Sequence, residues 1–170
     1  MTDFEKCILG ETDDLIHVDT KEESRLAVLS MTRQAHKSLH IYTHDFDTPV
    51  YDNGEFVEAA KQLAIRVPHS YVHILIRDTS RVVLRGHRII ELARRLGSHI
   101  LIKKLAPQFN THIEAFCIAD ETALLRRPIA DRYEGQVNFN DRQDCKTALR
   151  FFHNAWEHSS PDPELRRLHL

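Results

Sequence analysis

His112, Glu114, Arg126 and Arg127 lie close enough in the chain for one β-hairpin to bring them together. From residue 112 to 128, Ile113, Ala115 and Cys117 alternate with Glu114, Phe116 and Ile118, and Asp120-Glu121-Thr122 leads into Ala123-Leu124-Leu125. That pattern predicts a strand, a tight turn and a second strand. A histidine at such a position offers a nucleophile or a general acid–base near neutral pH. The two arginines either hold phosphate oxygens directly or pair with Glu114 and Glu134.

A second cluster is the segment RVVLRGHRIIELARR. Read as one helix over residues 80–96, it places Arg81, Arg85, Arg88 and Arg95 on one stripe and Val82, Val83, Ile89, Ile90, Ala93 and Leu96 inward. Such a stripe suits phosphate backbones, acidic headgroups or an acidic protein, and it is equally the pattern of a solvated helix face.

The twelve histidines define no metal site. His40 and His44, like His69 and His73, are four apart on or near strands and so about 13 Å apart. No HExxH, Cys/His ligand set, P-loop, GxGxxG or GxSxG is present. His44, Asp45 and Asp47 follow the strand expected at residues 38–43; they either cap and turn the loop or line a site at a strand end.

The elements that position these residues follow from period and punctuation. Thr20 and Glu23 have capping-box spacing ahead of Leu26, Leu29 and Ala35, which predicts a helix. In residues 38–43, Leu39, Ile41 and Thr43 face one way, His40 and Tyr42 the other. Residues 45–53 read as a loop with Asp52 as N-cap of a helix over 54–67, stopped by Pro68. Further strands are expected at 71–76, 99–104 and 136–139, and a closing helix at 142–157 with Cys145, Ala148, Leu149, Phe152, Ala155 and Trp156 as its apolar stripe. This order argues for an α/β fold with a mixed β-sheet sandwiched between α-helices, without by itself naming a family.

From about residue 15 to 157, that order and the hairpin resemble a phospholipase D-like half. The family carries His-x-Lys, an Asp five residues after the Lys, and a Gly-Ser about seven further on. Here His112 matches the histidine, and Glu134 a later acid. Glu114 replaces the lysine, Ala119 the aspartate, and Arg126-Arg127 the Gly-Ser; alternation sends the neighbouring Asp120 to the opposite side. The chain is also similar to an uncharacterised module that follows acetyltransferase domains in some bacterial proteins, which implies an acetyltransferase-type protein partner.

The resemblance implies one histidine per half, so a working site takes a homodimer with two His112 side chains facing each other and neither cofactor nor metal. A carboxylate at 114 adds negative charge where phosphate wants a cation. The expected function is a catalytically degraded binding or regulatory module with a remnant phosphate pocket around His112, Glu134, Arg126 and Arg127. The alternatives are a metal-independent phosphodiesterase or nuclease acting through His112, and a nucleic-acid-binding module using Arg81, Arg85, Arg88 and Arg95.

At 170 residues, with 42% apolar and 28% charged residues, the composition is that of one ordinary globular domain. No run approaches the roughly 18 apolar residues of a membrane span, and no leader-like apolar stretch opens the chain, so a cytoplasmic location is expected. Residues 1–24 hold eight acids against two lysines, and 77–104 hold eight Lys/Arg against two acids. This asymmetry suggests a flexible acidic arm over 1–14 able to cover the basic segment, a domain over 15–158 and a tail over 159–170. Cys7, Cys117 and Cys145 are widely spaced, and the latter two sit in apolar patterns as core thiols.

Overall fold

The computed structural model describes residues 2–166. Seven strands form one mixed sheet: β1 (Ile16–Val18), β2 (Ser38–Thr43), β3 (Tyr71–Ile76), β4 (Ile100–Lys104), β5 (Ala115–Ala119), β6 (Ala123–Arg127) and β7 (Gly135–Asn138). Their order is β1-β7-β6-β5-β2-β3-β4. β2, β3 and β4 are parallel, whereas β5, β6, β7 and β1 pair antiparallel. The helices are α1 (Lys21–Gln34), α2 (Thr48–Tyr51), α3 (Gly54–Arg66), α4 (Ser80–Arg85), α5 (Arg88–Arg95), α6 (Arg142–His158) and α7 (Pro163–Arg166).

Strand alternation divides the interior into two cores. Leu39, Ile41, Ile74, Cys117 and Leu125 bury one face with residues of α1, α3 and α5. Tyr42, Leu75, Phe116, Ile118 and Leu124 bury the other against Cys145, Leu149, Phe152 and Ala155 of α6. The N-cap forms as the spacing predicts, with the Glu23 amide donating to Thr20 Oγ1 over 3.1 Å, while Glu23 Oε1 accepts from the Asp19 amide, one residue before the N-cap. α3 is capped by Asn53 rather than Asp52, because the Phe56 amide donates to Asn53 Oδ1 at 2.8 Å. Asp52 instead accepts from the Arg88 amide.

The single helix expected over residues 80–96 is two. Gly86 takes φ +75° after α4, a conformation that favours glycine, and the imidazole of His87 accepts from the Ile89 amide to start α5. The helical wheel through Arg81, Arg85, Arg88 and Arg95 is therefore broken.

The first residues are packed on the fold. Phe4 and Cys7 are buried, Ser30 Oγ donates to the Phe4 carbonyl, and the Gly10 amide donates to the Phe139 carbonyl. This segment packs on α1 and against Phe139 beyond β7, whereas α4 and α5 connect β3 to the edge strand β4 at the other end of the sheet order. After α6, Ser160 bridges to Lys104 and Leu165 is buried; residues 167–170 of the expected tail lie outside the described residues. Among the described residues, no helix is long and apolar enough to cross a membrane.

Candidate functional site

His112 sits just before β5 and is held from four sides. Its amide donates to the Phe109 carbonyl at 3.1 Å, and its own carbonyl accepts from Tyr42 Oη at 2.6 Å. Burial pushes the Tyr42 phenol up to about 12, so it remains a donor at neutral pH. The imidazole stacks on Phe151 of α6, with ring centroids 3.6 Å apart and planes 11° from parallel. Its Nε2 lies 2.6 Å from Glu114 Oε1.

Glu114 is the centre of this arrangement. Two residues on from His112, it shares the α6 side of the sheet, and its second oxygen accepts from Arg126 Nε at 2.7 Å. The Glu114 side chain is only 13% exposed, against 55% for Arg126. A carboxylate paired with a guanidinium is an acceptor only, so the proton of the His112–Glu114 hydrogen bond resides on Nε2. A nitrogen that donates its proton presents no lone pair to an incoming phosphorus.

The other expected members go elsewhere. Arg127 is adjacent to Arg126 on β6, so alternation sends it to the opposite face. There it is buried, ion-paired with Asp47, donates to the Ala130 carbonyl and lies 5.0 Å from the Tyr133 ring. Burial raises the Asp47 carboxyl, while the Arg127 charge pulls the other way. Arg127 is thus structural and joins no pocket with Arg126. Glu134 is exposed and pairs with neither arginine. The residue after it must be glycine, because a Cβ at Gly135 would collide with the Arg126 carbonyl.

Ala119, where the sequence resemblance would place an aspartate, is fully buried. Asp120 turns away from His112 and accepts from the backbone amides of His36, Lys37 and Ser38 at 2.7–3.1 Å, anchoring the hairpin tip to the start of β2. Asp120 and Glu121 both have positive φ in this tight turn.

The strand-end acids are occupied as well. His44 Nδ1 is 3.1 Å from Asp131, and Arg81 is 3.0 Å from Asp45. Arg88 packs on Asp52 at 3.7 Å. The arginines of the expected stripe are therefore dispersed, two of them in ion pairs.

Sequence spacing missed a histidine cluster assembled across the sheet. His40 and His73 are register partners on β2 and β3, and His153 of α6 closes on His40, with centroids 6.0 and 5.4 Å away. Tyr71 Oη is 3.2 Å from His40 Nε2, and His73 stacks on Trp156 at 4.5 Å. Burial holds His40 neutral down to about 3 and His73 to about 4. These are aromatic packing distances, with His40 fully buried, His73 partly buried and His153 on the surface. Cys117 and Cys145 are likewise buried, and burial pushes both thiols up to about 12.

The sheet order, the motif hairpin and the closing helix over it define a phospholipase D-like fold, and comparison with solved structures agrees. Nuc, a phospholipase D family member from Salmonella typhimurium, aligns with TM-score 0.62 at 16% identity, over 86% of this chain and 95% of its own. NucT from Helicobacter pylori gives 0.62 at 13% identity, over 88% and 100%. TrmBL2, an archaeal chromatin protein, gives 0.63 at 18% identity over 89% of this chain; the match spans 55% of that longer chain. No curated protein matches in sequence. The chain belongs to the family described as domain of unknown function DUF7931, whose model matches residues 20–168.

Proposed function

We propose that this protein is a non-hydrolytic phospholipase D-like domain that works as a binding module. The observation that carries the reading is Glu114, which holds His112 Nε2 with one oxygen and Arg126 with the other. In a phosphodiester reaction, a histidine nitrogen forms a bond to phosphorus as the alkoxide leaves, and nearby cations offset the charge that develops. Here the nitrogen is a donor to a carboxylate, and the adjacent guanidinium is neutralised by that same carboxylate. An anion pocket at this position would have to displace Glu114 first.

The partner class that fits best is nucleic acid. The archaeal chromatin protein, whose structure is described as showing a novel mode of DNA binding, has this fold and supports that reading. A homodimer through the His112 end is part of the proposal, because Ile113 and Ile129 are exposed there at 55% and 39%. The test is hydrolysis of bis-p-nitrophenyl phosphate in the presence of EDTA by wild type and His112→Ala, with no turnover expected from either.

A further inference from the structure

One row of cations without an ion pair among the described residues lies on α6. Arg142, Lys146 and Arg150 are spaced i, i+4 and i+8, so they line one face over about 12 Å. Lys37, just before β2, joins them across a groove of about 520 Å³, and His153 extends the row by one turn. All five side chains are exposed, and the four cations have no ion pair among the described residues. Two acids stand at the groove wall. Asp120 is committed to the backbone amides of residues 36–38, which leaves Glu121 as the one acid facing four cations. Glu157, a turn beyond His153, marks the end of the row.

The Lys37 and Asp120 end of this groove lies across β5 from His112, about the strand's length of roughly 16 Å away, while its Arg150 end adjoins Phe151, which stacks on the His112 imidazole.

We infer that the α6 groove, formed by Lys37, Arg142, Lys146 and Arg150, is a docking surface for the phosphodiester backbone of duplex DNA. It extends the binding-module reading by naming the surface and the partner. The chemistry of the lining argues for this occupant. Protein interfaces anchor on aromatic and apolar side chains, and the groove's one apolar residue, Leu149, is buried in the core beneath it. A membrane surface calls for an apolar wedge beside the basic row, and the exposed large apolar residues lie outside α6. Single strands are held by stacking aromatics, and the groove has none besides the imidazole of His153. A row of cations alone contacts phosphates and carries no base readout.

The experiment is fluorescence anisotropy with a short labelled DNA duplex across about 50–200 mM salt. Four phosphate contacts predict a log–log slope of about −3.6, a loss of order 100-fold in affinity over that range. The Lys146→Glu, Arg150→Glu double variant, checked for native circular dichroism, is expected to bind at least about tenfold more weakly with a slope shallower by about 1.8. His112→Ala and Arg85→Glu are expected to bind as wild type does, so a failure here is distinguishable from hydrolysis at His112. The inference is overturned by absence of duplex binding at low salt, by binding that the α6 double variant leaves unchanged, or by equal competition from polyglutamate.

Discussion

At the scale of single residues, the molecule is governed by what Glu114 touches. Its carboxylate is largely buried and satisfies two cationic or polar partners at once, so truncation leaves His112 and Arg126 to find water or each other. Glu114→Ala is expected to cost about 1.5–3 kcal/mol in urea unfolding, the range for hydrogen bonds to charged groups. Arg126→Ala should cost less, because that side chain is more than half exposed. Equal and negligible losses in both variants would show that the pair is not formed in solution. This centre was partly legible in the sequence. Residues 112 and 114 must share a strand face, and a carboxylate between a histidine and an arginine invites ion pairing. The same alternation separates Arg126 from Arg127, which grouping them by proximity in sequence overlooks. Phe151, which stacks on the imidazole, was hidden because it lies far along the chain in a helix where Phe152, not Phe151, marks the apolar stripe.

Among the elements, strand periods and helix caps translate directly into structure, while long-range register does not. The boundaries of β2 and β3 and the Thr20–Glu23 cap follow from local pattern, because alternation and short-range hydrogen bonds are local physics. The break at Gly86 was missed because the inward apolar positions keep helical spacing across it, although a glycine before a histidine is a ready stop and restart. His40, His73 and His153 meet only because β2 and β3 pair in parallel and α6 covers them, a juxtaposition that spacing along one strand cannot reveal.

That interface has a pH signature. His40 titrates at about 3 in the fold against 6.5 for an unperturbed imidazole. Its contribution is therefore present above pH 6.5, and it is lost as pH falls and the unfolded chain takes up a proton that the folded chain refuses. Stability is expected to drop by about 2–3 kcal/mol from this group between pH ~6.5 and ~4.5, and the slope should flatten in His40→Leu. Urea midpoints measured across that range check it, and an unchanged slope in the variant would assign the acid sensitivity to other groups.

For the whole molecule, a phospholipase D-like fold carries its charge unevenly. Of the cations that the sequence displays around residues 77–104, Arg81 and Arg88 pair with Asp45 and Asp52, and the break between α4 and α5 splits their helical stripe. The unpaired row lies instead on α6, whose i, i+4, i+8 spacing was readable but was overshadowed by the apolar stripe of the same helix. At the opposite end of β5, Ile113 and Ile129 border His112. If that end joins two copies, Ile113→Asp should shift the sedimentation coefficient from dimer to monomer at micromolar concentration. A wild type that sediments as a monomer would remove the dimer from the account.

The most direct measurement of the central claim is turnover of bis-p-nitrophenyl phosphate by wild type and His112→Ala, side by side and with EDTA present. With Glu114 holding Nε2 and neutralising Arg126, p-nitrophenolate release is expected to be indistinguishable between the two proteins and from buffer. EDTA-resistant turnover in wild type that disappears in His112→Ala would contradict the account, and would mean that Glu114 releases the imidazole when substrate binds.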